Sequence, residues 1–324
     1  MELKQVVEAV VKSSNWKGPE IRLDIPHGDM PGDKVEIGEV HINKANTIFP
    51  ELLSTLSETL KKRETKKVVL TVCGGSGVGK SEIASLLSYY FNQLGIGSYT
   101  LSGDNYPRRI PKYNDAERLH IFRESALKSM VRTDTFSKEK FQIIRQFQKE
   151  DDDANPVHVK EYPWYESYLS GGKEGLRNYL GTAREIAFDE LEEILTQFKN
   201  GEQEIWLKRM GREDADLWYS KVDFSNINIL IIEWTHGNSS NYKGVDIPIL
   251  LNSTPEETLA HRRARNRDGA TDNPFTTMVL ELEQAMLEAQ APKAAIILSK
   301  NGELLSYEQF YRHMEERKGE SHDQ

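Results

Sequence analysis

The chain has 324 residues, of which 38% are hydrophobic and 29% charged, a balance typical of a globular protein with a sizeable core. Its net charge of −9 excludes a general nucleic-acid-binding surface, which would need clustered Lys and Arg. No apolar run approaches the ~18 residues of a membrane span, and the start of the chain does not resemble a secretory signal. Because Cys73 is the single cysteine, no internal disulfide can form. We therefore expect a cytoplasmic protein that binds neither membranes nor nucleic acids.

The first part of the chain predicts a small α+β extension of unknown role. Its expected elements are a helix over residues 2–12, strands over 21–25 and 35–42, and a helix over 49–61. A charged stretch follows, and we place a domain boundary near Thr65. The extension then covers residues 1–64, the main domain covers 65–317, and the polar segment 318–324 is expected to be a disordered tail.

From residue 67 onward, buried strands alternate with helices. Strands are expected over 67–73, 98–101, 228–234, 247–251 and 294–298, with a hairpin arm over 204–208, and helices over 80–94, 115–131, 138–149, 182–199, 255–266, 276–289 and 307–316. This alternation predicts an α/β fold in which a parallel sheet is covered by helices on both faces, as a three-layer sandwich.

A phosphate-binding loop follows the first of these strands. It reads Gly74-Gly75-Ser76-Gly77-Val78-Gly79-Lys80-Ser81, which satisfies G-x-x-x-x-G-K-[ST]. The glycines let backbone N–H groups wrap a phosphate, the lysine neutralises the β- and γ-oxygens, and the serine hydroxyl can bind Mg²⁺. A strand directly before the loop and a helix directly after it are the context that the motif requires. We therefore predict a P-loop NTPase that binds ATP and Mg²⁺.

Two carboxylates end predicted strands of the same sheet. Asp104 follows the second strand in Ser-Gly-Asp-Asn-Tyr, and Glu233 follows four aliphatic residues at 229–232. Since ligands of an open α/β sheet bind at the carboxyl ends of its strands, both side chains are expected in the crevice. Asp104 can act as the base that accepts the proton of an attacking hydroxyl, and it is also a predicted metal residue beside Ser81. Glu233 can contact Mg²⁺ through water or the acceptor, and the sequence leaves both roles open.

An Arg-rich stretch at residues 261–267 lies on a predicted helix that starts near Pro255. It can close over the transferring phosphoryl group as a lid, and the alternative interpretation is a solvated face of the helix. The P-loop, Asp104 with Tyr106, the apolar strand ending in Glu233 and this Arg-rich helix together resemble the uridine kinase and phosphoribulokinase-like family of P-loop kinases. The resemblance spans residues 67–300. It implies a kinase that transfers the γ-phosphate of ATP to a hydroxyl group of a small molecule.

The resemblance also implies roles for individual residues. Asp104 would be the base, Lys80 and Ser81 would bind ATP and Mg²⁺, and Arg263 and Arg267 would lie in the lid. Substrate-binding residues would lie after Asp104 and on the hairpin before the apolar strand: Tyr106, Arg108, Arg109, Lys208 and Arg212. Because these cations stand out in an acidic protein, we expect an anionic acceptor, bound by guanidinium groups. Trp234 departs from the family, which usually has a small residue there.

Other functions stay open beside this one. Gly103-Asp104-Asn105 is similar to a segment of adenylylsulfate kinases, so such an acceptor is an alternative. A regulatory P-loop ATPase switch is another, in which residues 1–64 would bind a protein partner. The sequence also leaves a homodimer open.

Several remaining patterns are interpreted as structural. Residues 169–173 imitate the signature of ABC transporter ATPases but are interpreted as a Gly-Gly loop, because the apolar strand comes too late. Residues 151–153 are interpreted as a solvated acidic loop. The aromatic residues between 162 and 168 are expected in a core, with stacking on a substrate or adenine ring as the alternative.

Overall fold

A computed structural model describes residues 3–13, 16–21, 25, 27–32, 34–63, 66–254, 256–260 and 273–322. The helices are α1 (Leu3–Ser13), α2 (Glu39–Lys62), α3 (Lys80–Gln93), α4 (Pro111–Arg132), α5 (Lys138–Lys149), the single turn α6 (His158–Glu161), α7 (Tyr165–Arg177), α8 (Phe188–Asn200), α9 (Pro274–Gln290) and α10 (Tyr307–His322). The strands are β1 (Val68–Gly74), β2 (Ser98–Ser102), β3 (Glu204–Met210), β4 (Leu217–Asp223), β5 (Ile229–Trp234), β6 (Ile247–Leu251), β7 (Ile296–Leu298) and β8 (Leu304–Leu305). None of the described helices is long and apolar enough to span a bilayer.

The central sheet has the strand order β2-β5-β1-β6-β7-β8. Its first five strands run parallel, and β8 pairs antiparallel with β7. Successive side chains enter two different cores: Leu70 and Ile231 join the core beside α2 and α3, whereas Val69 and Leu230 join the core beside α8. Helices on both faces explain why β1 is buried throughout and, apart from Thr71, apolar. The predicted α/β fold with a parallel sheet is therefore confirmed.

Helix α2, in the N-terminal part of the chain, packs against α3 and the sheet. Phe49 and Leu52 of α2 are fully buried in the same core as Leu87 of α3 and Leu70 of β1. The described residues on the two sides of the predicted boundary therefore share one hydrophobic core. Thr65 itself lies outside the described residues.

The strand predicted over 35–42 is wrong. Helix α2 begins at Glu39, inside the alternating pattern, because Gly38 caps it and donates its backbone N–H to Nδ1 of His41 at 3.1 Å. The helix then runs through Pro50, although proline is usually confined to the first turn of a helix. Of the other predicted strand, 21–25, residues 22–24 lie outside the described part of the chain.

The Gly-Gly loop expected over 169–173 is wrong as well, since these residues lie inside α7. A Cβ atom on Gly172 would lie 2.3 Å from the ring of Phe122, and one on Gly171 would lie 2.1 Å from Cβ of Ser129. The glycines therefore allow α7 to approach α4 closely, and this packing requirement outweighs their low helix propensity.

The acidic loop at 151–153 is only partly solvated. Asp153 is buried and accepts hydrogen bonds from Arg123 at 2.7 Å and from the hydroxyl of Tyr168 at 2.8 Å. Tyr165 and Tyr168 are fully buried, in agreement with the core role expected for the aromatic cluster. At the other end of the chain, α10 continues to His322, into the segment expected to be a disordered tail.

Candidate active site

The P-loop connects β1 to α3, the context that the sequence predicts. Gly77 and Gly79 have φ angles of 77° and 95°, in the left-handed region that side chains with a Cβ rarely adopt. A Cβ on Gly74 would lie 2.8 Å from the carbonyl oxygen of Leu251. Conformation at two positions and close packing at a third therefore explain three of the four glycines of the loop. Helix α3 starts with its positive end at the loop.

Two side chains at the start of α3 supply the polar groups of the loop. Lys80 donates from Nζ to the carbonyl oxygen of Gly75 at 2.9 Å, folding back along the loop. Ser81 donates from Oγ to Oε2 of Glu233 at 3.2 Å. The hydroxyl predicted to bind metal and the carboxylate at the end of the apolar strand are thus in contact.

Glu233 is buried at the carboxyl end of β5, with 3% of its surface exposed. Its register neighbours are Val72 on β1 and Ser102 on β2. Oε1 of Glu233 accepts a hydrogen bond from the hydroxyl of Ser102 at 2.5 Å, while Oε2 faces Ser81. Burying a carboxylate is costly unless donors surround it, and these two hydroxyls are such donors. Ser102 was not singled out from the sequence, although it lies two residues before Asp104.

Asp104 is exposed on a single 3₁₀ turn, Gly103–Asn105, that directly follows β2. A Cβ on Gly103 would lie 2.0 Å from the ring of Trp234, so the turn lies flat on this indole. The indole is fully buried and braces the turn from below. Trp234, the departure from the family pattern, therefore has a structural role under the predicted base.

A charge cluster, which the sequence did not indicate, lies next to these residues, and its Glu185 is fully buried. Arg118 of α4 donates to Glu185 at 2.6 Å and lies 3.3 Å from Glu283 of α9. Burial raises the pKa of Glu283, and the charges of Lys80 and Asp104 also act on it. Burial would raise the pKa of Glu185 too, but the guanidinium group of Arg118 brings it below its usual value. The helical spacing of these residues gives no sign that three distant segments meet.

His236 is a second buried group that the sequence did not single out. Burial lowers the pKa of its imidazole to about 4, with Glu185 opposing and Arg118 and Lys80 adding to this shift. Its ring lies 5.2 Å from that of Trp234. His236 is therefore neutral near pH 7, and it places an uncharged polar ring behind the charged site.

The predicted acceptor-binding residues are not gathered into a free cationic patch. Tyr106 is fully buried in the core beside α8. The cations are paired with carboxylates of the protein: Arg108 with Asp189 at 2.9 Å, Arg109 with Glu117 at 3.5 Å, and Lys208 with Glu190 at 3.7 Å. Arg212 is exposed after β3. Arg263 and Arg267 lie outside the described residues.

A narrow cleft runs between the P-loop and α9. It is lined by Gly75, Ser76, Ser253, Thr258, Leu280, Glu283, Gln284 and Leu287. The described residues contain no group of three or more His, Cys, Asp or Glu arranged to hold a metal ion by themselves.

Comparison with known proteins gives one close sequence relative. No protein-family model matches the chain. The chain is 39% identical over 243 residues to a protein named bifunctional alpha-galactosidase/sucrose kinase AgaSK from Mediterraneibacter gnavus. The match covers 75% of this chain, which spans only 21% of that relative. The printed kinase name agrees with the activity predicted from the sequence.

Three similar solved structures have sequence identities of 13–15%. A putative fructose transport system kinase from Silicibacter sp. TM1040 has a TM-score of 0.45 and 13% identity, covering 74% of this chain and 92% of that one. A possible uridine kinase from Bacillus stearothermophilus has a TM-score of 0.35 and 15% identity, with coverages of 76% and 98%. D-glycerate 3-kinase from Cryptococcus neoformans var. grubii has a TM-score of 0.47 and 14% identity, with coverages of 83% and 98%.

Proposed function

We propose that this chain is an ATP-dependent kinase that transfers the γ-phosphoryl group of ATP to a hydroxyl group of a small molecule. The observation that carries the proposal is the meeting of four groups at one edge of the sheet. Lys80 and Ser81 begin α3, Glu233 contacts Ser81, and Asp104 stands exposed on the adjacent strand end. A phosphate cradle next to an accessible carboxylate is the arrangement that phosphoryl transfer to a hydroxyl needs.

The P-loop amides and Lys80 would hold the β- and γ-phosphates. The nearby oxygen donors fit Mg²⁺, which prefers hydroxyl, carboxylate and water ligands: Ser81 and Glu233 are in contact, and Asp104 lies on the next strand end. Ser81 would bind the ion directly, and Glu233 would orient Ser81 or a bound water. When present, Mg²⁺ neutralises charge on the phosphate oxygens.

The chemistry assigned to this chain is mainly positioning and proton transfer. Asp104 accepts the proton of the acceptor hydroxyl. The hydroxyl oxygen forms a bond to the γ-phosphorus while the bond between that phosphorus and the ADP oxygen breaks. Lys80 stabilises the negative charge that develops on the transferred group. Neutral His236 and the paired Arg118 keep the surroundings of Lys80 polar without adding a free charge.

For the acceptor, a neutral sugar is the first candidate, and sucrose is the first to test. The relative's printed name includes sucrose kinase. A neutral polyol needs hydrogen-bond partners and no excess cation, which agrees with the pairing of Arg108, Arg109 and Lys208 with carboxylates. An anionic acceptor stays the second candidate, favoured by the exposed Arg212.

A panel of acceptors tests the proposal. ADP release is followed with sucrose, sucrose 6-phosphate, glycerol, glycerate and adenylylsulfate, and with ATP alone. We expect sucrose to raise ADP release well above the rate with ATP alone. Stimulation of ADP release by the anionic acceptors alone would favour the second candidate or an adenylylsulfate kinase. Equal turnover with and without every acceptor would favour a regulatory ATPase.

A further inference from the structure

A short N-terminal segment, residues 27–32, lies at the same edge of the sheet as the proposed active site. Its central side chain is Asp29, which is 8% exposed. Oδ1 of Asp29 accepts hydrogen bonds from the backbone N–H of Ser102 at 2.8 Å and from Nδ2 of Asn105 at 2.9 Å. Oδ2 accepts from the hydroxyl of Tyr99 at 2.9 Å and from Arg209 at 2.8 Å. One carboxylate thus receives four donors.

These donors come from the parts of the chain that form the acceptor side. Ser102 and Asn105 flank Asp104, so Asp29 holds both ends of the turn that carries the proposed base. Asn105 in turn accepts the backbone N–H of Met210 at 2.9 Å, at the end of β3. Arg209, also on β3, donates a second hydrogen bond to Tyr99 at 2.9 Å. Asp29 therefore ties the β2 end to the β3–β4 hairpin.

The backbone of the same segment lies beside the buried carboxylate. A Cβ on Gly28 would be 3.8 Å from Oε1 of Glu233 and 3.7 Å from the methyl group of Thr100, both ordinary contact distances. Oε1 is also the atom that accepts the hydrogen bond from the hydroxyl of Ser102. Gly28, next to Asp29 in the chain, therefore lies beside the carboxylate of Glu233.

A carboxylate with comparable burial elsewhere in the fold provides a matched comparison. Asp246 is 2% exposed and accepts hydrogen bonds from the backbone N–H of Val69 at 2.9 Å, from Arg63 at 2.8 Å and from Lys199 at 2.8 Å. It precedes β6 and binds near the start of β1, at the opposite edge of the sheet from the P-loop. The side chains of Asp29 and Asp246 are similarly buried and accept hydrogen bonds from similar donors. They differ in location, since Asp29 lies next to the proposed active site and Asp246 lies near the start of β1.

We propose that residues 27–32 are part of the acceptor side of the active site and that Asp29 is a positioning residue, which holds the Asp104 turn and the β3–β4 hairpin in one arrangement. This inference rests on the proposed kinase function. It gives the N-terminal part of the chain a role in catalysis that the sequence did not indicate. A shift of about 1 Å in the base is enough to lower transfer by up to ~100-fold.

The test compares Asp29→Asn with Asp246→Asn. In Asp29→Asn, the amide can keep the bonds to Ser102 and Asn105 but turns an N–H₂ group toward Arg209 and Tyr99. We expect kcat/KM for the acceptor to fall by about 10–100-fold, while the Kd for ATP stays within a factor of about two of the wild-type value. Asp246→Asn should lower the melting temperature by about as much as Asp29→Asn does, and it should leave kcat unchanged. Tyr99→Phe, which removes one donor only, should give a smaller loss of kcat/KM.

Amide hydrogen exchange provides a readout that does not depend on activity. Asp29→Asn should speed exchange at residues 102–105 and at Met210, and Asp246→Asn should not. Wild-type kinetics in both Asp29→Asn and Tyr99→Phe would overturn the inference, as would an equal loss of kcat in Asp246→Asn. If the wild-type protein phosphorylates no acceptor, the kinase proposal fails by itself, and unchanged exchange at residues 102–105 in Asp29→Asn would then overturn the positioning role.

Discussion

Phe49 tests whether the N-terminal helices and the P-loop domain fold as one unit. Its ring is fully buried, and its centroid lies 4.5 Å from that of Trp16, 5.3 Å from that of Tyr90 and 4.9 Å from that of Phe91. Removing such a ring costs about 3–5 kcal/mol through lost burial and the cavity left behind. For a chain of 324 residues, each kcal/mol lowers the melting temperature by roughly 1.5 °C. Phe49→Ala should therefore lower it by about 4–7 °C.

Scanning calorimetry with and without ATP decides this point. The transition that ATP shifts upward is the one that contains the P-loop, and Phe49→Ala should lower that same transition. Val40→Ala, on the same helix but 64% exposed, is the control and should change it by less than about 1 °C. Two transitions, of which only the ATP-insensitive one moves in Phe49→Ala, would show that residues 1–64 are a separate extension and would refute the shared core.

Three further predictions concern the site. Asp104→Asn should lower kcat by about 10²–10⁴-fold without changing the Kd for ATP; loss of ATP binding, measured by calorimetric titration, would instead show a metal or structural role. His236 has a pKa of about 4 in the folded protein against an ordinary 6.5, so the unfolded chain binds more protons between these values and stability should rise with pH there. His236→Gln should reduce that slope by up to ~1.4 kcal/mol per pH unit in urea titrations, and an unchanged slope would exclude a buried neutral imidazole. Arg108→Ala should leave the acceptor KM unchanged, because the guanidinium group is paired with Asp189; a higher KM for anionic acceptors only would restore the anionic hypothesis.

The fold and the phosphate side of the site could be predicted because their signals are local. The β1 strand, the glycine loop and the start of α3 are contiguous in sequence, and each residue type has one physical reason to be there. Asp104 and Glu233 were predictable for a related reason, since parallel strands place their carboxyl ends at one edge. The contact between Ser102 and Glu233 then follows from the strand register.

The acceptor side could not be predicted because its contacts join distant segments. Asp29 is 180 residues away from Arg209, and Arg118 is 165 residues from Glu283. A turn-rich stretch around Gly28 gives no sign that it lies against Glu233. The glycines of α7 gave the wrong prediction of a loop for a similar reason, since their packing partners are on α4. The count of cations from which we predicted an anionic acceptor does not show that Arg108, Arg109 and Lys208 are paired with carboxylates, and the acceptor itself stays a prediction.

The most direct test of the central claim is the stoichiometry of phosphoryl transfer. Wild-type protein, ATP, Mg²⁺ and sucrose are incubated, and mass spectrometry measures the phosphorylated sugar against the ADP formed. The account predicts one phosphate on the sugar for each ADP, and no product from Lys80→Ala, whose melting temperature should match that of the wild type because Lys80 contributes charge to the site and not to the core. ADP formed at the same rate without any acceptor, or an unaltered yield from Lys80→Ala, would contradict it.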